Sequence, residues 1–169
     1  MSPMLERIEI KTALGLDDAG VITGIAWPFG TADRVGDMIE KGAFRMSGPL
    51  PMLFEHDPAQ TVGVWNSAAE TDKGLEVRGE VFGNMKRAQE VRAIVRKGLI
   101  GGLSIGFRTN DSFVRKGGGR TITSLDLAEI SLVRNPMNTG ARVLSAKSAT
   151  TAILLAEAIN RAASALKAA

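Results

Sequence analysis

Short segments in which apolar and polar residues alternate most strongly limit what this chain can fold into. The alternation is clearest in LEVRGEVF at residues 75–82 and in TITSLDLAEISLV at residues 121–133. A period of two residues is typical of a β-strand with one buried face, and glycine-containing turns such as TDKG and RKGGGR lie between several of these segments. The pattern predicts a mostly β (α+β) domain whose antiparallel strands form a compact, barrel-like sheet with a few helices.

The N-terminal third and one later segment add two local predictions. Residues 6–14 alternate as ERIEIKTAL and residues 21–26 follow a DDAG turn, which predicts two strands joined by a hairpin. Residues 84–97 instead carry apolar side chains at helical spacing. Asn84 can cap the start of that helix, and Gly98 suits its left-handed C-terminal position.

The length and the C-terminal composition indicate one domain and a tail. A chain of 169 residues is long enough to bury its own core. We expect the domain to span residues 1–145, and an alanine-rich linker and tail helix to span residues 146–169, where apolar residues recur at helical spacing. Such a helix would pack on its own domain or on another copy; the alternative is a disordered segment that is later removed.

The charge balance and two rare residue types exclude several classes of function. The 21 Lys and Arg against 18 Asp and Glu give a net charge of +3, without a basic run that would predict a nucleic-acid partner. No apolar run approaches the roughly 20 residues of a membrane span, so we expect no membrane partner. Cysteine is absent, which excludes thiol catalysis, and the single histidine, His56, cannot build a three-histidine zinc site. We expect neither a cofactor nor a metal.

Ser104 lies between two glycines in GGLSIGF, residues 101–107. The segment matches the G-x-S-x-G motif of α/β-hydrolases, but that motif needs a strand, a sharp turn and a helix, whereas strand-like residues continue after this serine. The order Ser, acid, His is also impossible because the one histidine precedes Ser104. Either Ser104 is a nucleophile of another kind of hydrolase, or the glycines only allow another backbone to come close.

The histidine ends an apolar segment, MLFEHDP. A buried strand that holds one imidazole at its end is a suitable arrangement for a base, and a histidine with its ordinary pKa of about 6.5 accepts and returns protons near neutral pH. The alternative is a partly exposed, hydrogen-bonded surface residue between Glu55 and Asp57.

Three carboxylates are candidates for the acid that would orient the imidazole. Strict alternation in residues 121–133 places Glu129 on the same face as Leu125 and Leu127, and Asp126 on the opposite face. A carboxylate among leucines needs a partner, which is either His56 or an arginine in a salt bridge. Asp57 competes for this role, but neighbouring strand residues point to opposite faces. We therefore favour Glu129.

Several separate sequence blocks occur in a characteristic order. They are GDMIEKGAF, MLFEHD followed by VGVW, the glycine-bracketed GLSIGF, and LAEISLVRNPMNTGA. Together these blocks, over about residues 8–145, resemble the phage prohead (head maturation) protease family, which is similar to the herpesvirus assemblins. The resemblance implies an assemblin-like β-barrel with surrounding helices and a serine endopeptidase activity.

The resemblance also implies roles, partners and a location. Ser104 corresponds to the nucleophile, His56 to the base and Glu129 to the acid, while the oxyanion donors, which backbone N–H groups near RNPMN could supply, stay unassigned. The expected substrates are capsid and scaffold precursor polypeptides inside the assembling prohead in the host cytoplasm. Self-cleavage and a homo-oligomer such as a dimer are expected as well. The rival hypothesis is a noncatalytic capsid-assembly or scaffold-binding module on the same fold.

Overall fold

The protein's structure, a computed structural model, describes residues 4–11 and 14–134. Within these residues the chain forms one helix and a series of strands that belong to a single sheet. The elements are β1 Glu6–Lys11, β2 Gly15–Leu16, β3 Val21–Pro28, β4 Met38–Ile39, β5 Phe44–Arg45, β6 Leu50–Phe54, β7 Asp57–Glu70, β8 Gly74–Val81, α1 Lys86–Arg96, β9 Gly102–Val114 and β10 Arg120–Val133.

The strands follow one another across the sheet in the order β1, β9, β10, β6, β7, β8, β3, β2. Most neighbours are antiparallel, as their alternating sequences predict, and β9 and β10 form a long hairpin. The short strands β4, β5 and β6 differ, because all three run parallel to β10 and lie one after another along it. The chain between residues 38 and 54 therefore follows β10 as one interrupted strand and delivers its end beside the end of β10.

The sheet curls around an apolar core. β3 packs against β9 although the two strands are far apart in the strand order, and bulges interrupt the long ladders β7–β8 and β9–β10. Bulges increase the local twist and bend of a strand, which lets an open sheet curl. The largest fully buried side chains inside the curl are Trp27, Phe54, Trp65 and Phe107.

The helix α1 covers one part of the curled sheet. Its buried residues Ala88, Val91 and Val95 recur at helical spacing, and the helix contacts β2, β7 and β8. At its C-terminus the N–H of Gly98 donates to Val95 and the N–H of Leu99 donates to Ile94, which is a Schellman motif. The prediction of this helix is confirmed, but it begins after Met85, and no side chain caps it, so the predicted cap by Asn84 is wrong.

Two predictions about the sheet are wrong. β1 pairs with β9 and not with β3, so the predicted hairpin between these two strands does not form. The hairpin partner of β3 is instead the two-residue strand β2. The compact antiparallel barrel with surrounding helices is also wrong in part: the described strands form a mostly β, curled, open sheet with one helix and a parallel section. The reason is that alternation reveals which face of a strand is buried, whereas pairing and closure depend on distant partners.

The predicted tail helix at residues 146–169 lies outside the described residues. Among the residues that are described, no helix is long and apolar enough to span a membrane.

Candidate active site

The β9–β10 hairpin has two chemically different faces, and one of them carries polar residues. Ser104 pairs with Ser131, and Gly106 pairs with Glu129. Side chains of paired strand residues share a face, so these four residues form one surface, which we call the polar face. Ser104 and Ser131 are fully buried, and Glu129 is only 4% exposed.

A β-bulge places Glu129 on this face. Leu127 pairs with Phe107 and Glu129 pairs with Gly106, so two steps on β10 match one step on β9. Because Phe107 and Gly106 are neighbours on β9, their side directions are opposite, and Leu127 and Glu129 end on opposite faces. The predicted burial of Glu129 is confirmed, but the prediction that it shares the face of Leu127 is wrong.

The edge strand β1 extends the polar face with two charged residues. Glu9 pairs with Ser104, and Arg7 pairs with Gly106. The Arg7 Nε atom lies 3.6 Å from Oε1 of Glu129, and the Arg7 side chain is half exposed. A positive charge and a potential proton acceptor therefore flank the buried groups on the side of β1.

His56 occupies a tight turn between β6 and β7. Phe54 pairs with Asp57, which leaves Glu55 and His56 as the two turn residues, and their φ angles are 53° and 62°. Two left-handed residues in succession suit a two-residue hairpin turn, but this conformation is strained for residues other than glycine. The N–H of Glu55 donates to the carbonyl of Leu132, which fixes the turn on β10.

The imidazole of His56 contacts the carboxylate of Glu129 directly. The Nδ1 atom of His56 lies 2.8 Å from Oε1 of Glu129, and the Ser131 hydroxyl donates to Oε2 of the same carboxylate at 2.7 Å. A carboxylate can only accept hydrogen bonds, so Nδ1 carries the proton. In the neutral ring, Nε2 is then the basic nitrogen.

The second ring nitrogen and the Ser104 hydroxyl are not hydrogen-bonded to each other. The Nε2 atom is buried and lacks a hydrogen-bond partner among the described residues, and Oε1 of Glu9 lies 3.6 Å from it. The Ser104 hydroxyl donates to the carbonyl of Ile8 at 3.0 Å. The structure thus brings His56 and Glu129 into contact and places Ser104 on the same polar face.

The histidine opens onto a pocket of about 440 Å³. Its lining combines charged residues of both signs with apolar groups from β1 and from the loop before β4: Arg7, Ile8, Glu9, Asp33, Arg34, Val35 and His56. The pocket therefore adjoins both the histidine and the β1 residues that border the polar face.

The two competing carboxylates lie elsewhere. Asp57 accepts hydrogen bonds from the side chain of Gln60 and from the backbone N–H of Ala59. Both hydrogen bonds lower the pKa of Asp57, and the one from Gln60 has the larger effect. Asp126 is exposed, and in the strand register it lies opposite Arg108 of β9 and Arg45 of β5. Of the three acids, Glu129 alone has a described contact with His56.

Two members of the polar face were not identified from the sequence. Ser131 could have been found, because it lies two residues after Glu129 on the same strand and therefore shares its face. Gly106 is needed because a Cβ atom there would lie 2.6 Å from both Cγ and Oε1 of Glu129. Within residues 4–11 and 14–134, no cluster of His, Asp and Glu is suited to hold a metal ion.

Comparison with known proteins assigns this chain to a family. The model of the caudovirus prohead serine proteases matches residues 6–154. The chain belongs to this family. It is 33% identical over 151 residues to the prohead protease of Enterobacteria phage HK97, covering 85% of this chain and 67% of that protein. It is also 33% identical over 139 residues to the capsid polyprotein of Pseudomonas phage PAJU2, covering 78% of this chain and 21% of that protein.

A solved structure supports the fold. The capsid assembly protease of bacteriophage T4 superposes with a TM-score of 0.59 at 15% identity, covering 80% of this chain and 100% of the other. The family model and the HK97 relative confirm the family resemblance that the sequence blocks carry. As a member of the prohead protease family, the chain is a serine peptidase with a role in capsid maturation.

Proposed function

We propose that the chain is an endopeptidase that cuts capsid and scaffold precursors with Ser104 as nucleophile, His56 as base and Glu129 as the orienting acid. One observation carries this assignment: Glu129 holds one imidazole nitrogen at 2.8 Å, while the other is buried without a hydrogen-bond partner among the described residues. Ser104 supplies the alcohol because it lies on the same polar face, inside the glycine-bracketed segment.

The first step requires the Ser104 side chain to rotate. Its hydroxyl leaves the carbonyl of Ile8 and turns toward Nε2 of His56, a change that fits the looser hydrogen bonds of enzymes without substrate. His56 then takes the hydroxyl proton while Oγ attacks the carbonyl carbon of the scissile peptide bond. Serine needs this neighbouring base because its hydroxyl is a weak nucleophile on its own.

The remaining steps return the proton. Glu129 accepts the Nδ1–H hydrogen bond and stabilises the imidazolium, and the imidazolium gives its Nε2 proton to the departing amine. Water then attacks the acyl-enzyme with His56 again as base, which releases the acid product and restores Ser104. Each group performs the role that its position on the polar face permits.

The relatives guide the proposal of substrates and location. The names of the HK97 and PAJU2 proteins, a prohead protease and a capsid polyprotein, favour capsid precursor polypeptides as substrates. We place the reaction inside the assembling prohead in the host cytoplasm. Self-cleavage, a homo-oligomer such as a dimer, a peptidase domain of residues 1–145 and a similarity to the herpesvirus assemblins stay predictions.

A covalent probe tests the nucleophile. A fluorophosphonate should label the wild-type chain at Ser104, and Ser104→Ala should lose both labelling and precursor cleavage while keeping its circular dichroism spectrum. Ser112→Ala is a matched control, because Ser112 lies on the same strand outside the polar face. Full cleavage by Ser104→Ala would remove Ser104 from the mechanism. A folded wild-type chain that binds precursors but is neither labelled nor cleaves them would favour the noncatalytic assembly module.

A further inference from the structure

Ser131 lies between the two groups that position the base. Its hydroxyl donates to Oε2 of Glu129 at 2.7 Å and accepts the backbone N–H of His56 at 3.2 Å. The residue is fully buried, so water does not compete for these hydrogen bonds. A serine hydroxyl has one donor and two acceptor sites, and this geometry uses the donor for the acid and an acceptor for the base.

We propose that Ser131 is a positioning residue of the peptidase, whose hydroxyl fixes the carboxylate of Glu129 and the backbone of His56 relative to each other. The inference rests on the proposed roles of His56, Ser104 and Glu129. Ser131 itself does not touch the reacting atoms; it acts through the acid and the histidine.

The contact with Glu129 sets the direction of the carboxylate. Rotation about the last side-chain bond of a glutamate is soft, so a single contact at Oε1 would leave the carboxylate plane free to turn. The Ser131 hydroxyl occupies Oε2, and this second contact holds Oε1 toward Nδ1 of His56. Removing the hydroxyl leaves the carboxylate with a buried oxygen that no longer has this donor.

The contact with His56 holds a strained turn. Glu55 and His56 both have left-handed φ angles, a conformation that persists only where its surroundings fix it. The hydrogen bond from the His56 N–H to Ser131 is one of these restraints, and the bond from the Glu55 N–H to Leu132 is another. Without Ser131 the imidazole would lose a restraint on the backbone that carries it.

Ser131 could instead be the nucleophile, since it pairs directly with Ser104. Its hydroxyl proton is already donated to a carboxylate, and its oxygen accepts a backbone N–H from the histidine rather than facing the basic Nε2. These contacts favour a supporting role. The site of covalent labelling decides between the two serines.

The test uses the untagged chain of 169 residues, in which His56 is the single histidine and its ring N–H signals are assignable without isotopes. Ser131→Ala removes one oxygen and adds no bulk. We expect kcat for precursor cleavage to fall about 10- to 100-fold with little change in KM, because small misplacements of catalytic groups cost this much. The low-field proton signal of the Nδ1–H should move or broaden. Ser131→Thr retains the hydroxyl and should keep both the rate and the proton signal close to wild type. Ser131→Val has the shape of the threonine variant without its hydroxyl and should not.

The outcomes separate the inference from the function on which it rests. Unchanged kcat in Ser131→Ala, or reduced kcat with an unchanged Nδ1–H signal, overturns the positioning role while Ser104→Ala still tests the mechanism independently. Fluorophosphonate labelling at Ser131 overturns the role and reassigns the nucleophile. If Ser131→Thr and Ser131→Val both fail to fold, Ser131→Ala and the proton signal decide. Ser112→Val, a change of the same kind on β9, should leave kcat and the signal unchanged.

Discussion

The two faces of the β9–β10 hairpin are equally buried but differ in chemistry. One face, which we call the apolar face, pairs Leu103 with Leu132, Ile105 with Ile130 and Phe107 with Leu127. The polar face pairs Ser104 with Ser131 and Gly106 with Glu129, one residue along on the same strands. All of these residues are buried, so burial alone does not distinguish core from candidate active site.

The faces depend on different kinds of interaction. The apolar face contributes stability in proportion to the area removed from water, about 25 cal/mol per Å², and small changes in direction matter little. A buried carboxylate instead needs its hydrogen bonds, because an unpaired one costs several kcal/mol. The polar face therefore requires defined geometry, and the bulge before Glu129 separates the two surfaces. We expect substitutions on the apolar face to lower stability and substitutions on the polar face to lower the rate of catalysis.

The largest effect should come from comparing alanine substitutions at two neighbouring residues of β9, one on each face. Ser104→Ala should lower kcat/KM for precursor cleavage by about 10⁴-fold or more, because the nucleophile is lost. Ile105→Ala, one residue away on the apolar face, should lower the free energy of unfolding by about 2–5 kcal/mol. Its folded molecules should cleave at close to the wild-type rate. Denaturant unfolding and cleavage kinetics on both variants check this, and a reversed pattern would contradict the division between the faces.

Glu129→Gln tests the acid on the polar face with little change of shape. An amide cannot replace a carboxylate that accepts from Nδ1, so the imidazole loses its orientation and its counter-charge, and kcat should fall about 10³- to 10⁴-fold. Glu80→Gln on the exposed side of β8 is the matched control. If Glu129→Gln cleaves at the wild-type rate, Glu129 has only a structural role.

The spacing of apolar residues along the sequence predicted a large part of this arrangement. It identified the strands of the long hairpin, the helix α1 and its left-handed Gly98, and the burial of Glu129. These features are local: a period of two or of 3.6 residues is visible within a single segment. The sequence blocks added the family, which the comparison confirms.

The features that were not predicted depend on distant contacts. β1 pairs with β9, about 100 residues away, and nothing within ERIEIK specifies that partner. The bulge between Leu127 and Glu129 is a property of two paired strands, so alternation on one strand placed Glu129 on the wrong face. The left-handed turn at Glu55 and His56 is equally hidden, since neither residue favours it without the contacts to β10.

Gly106→Ala tests how closely the polar face is packed. The added Cβ would lie 2.6 Å from Cγ and Oε1 of Glu129, so the carboxylate must shift away from His56. We expect kcat to fall about 10- to 100-fold, as for other displacements of catalytic groups by about 1 Å. Gly83→Ala is the control, because a Cβ there meets an arginine tip at an ordinary 3.5 Å. Equal rates in the two variants would show that the carboxylate tolerates displacement.

Asp57→Asn should give the smallest effect, because this carboxylate follows His56 in the chain but lies outside the polar face. The hydrogen bond from Gln60, followed by that from the Ala59 N–H, lowers the pKa of Asp57, so its ionised form stabilises the folded state. That contribution is complete above the ordinary aspartate pKa of about 3.9 and is lost as the pH falls through the lowered value. The difference in melting temperature between wild type and Asp57→Asn should therefore be largest near neutral pH and shrink in acid.

Cleavage at neutral pH should stay close to the wild-type rate in Asp57→Asn, since Asp57 bonds to Gln60 and Ala59 and not to the imidazole. A large loss of kcat would mean that Asp57 reaches His56 during catalysis and that the acid is not confined to the polar face. A melting difference that grows on acidification would show instead that the Gln60 and Ala59 bonds do not favour the ionised carboxylate. Because Asp57 directly follows His56 in the chain, this variant asks whether proximity in sequence or a shared sheet face selects the catalytic acid.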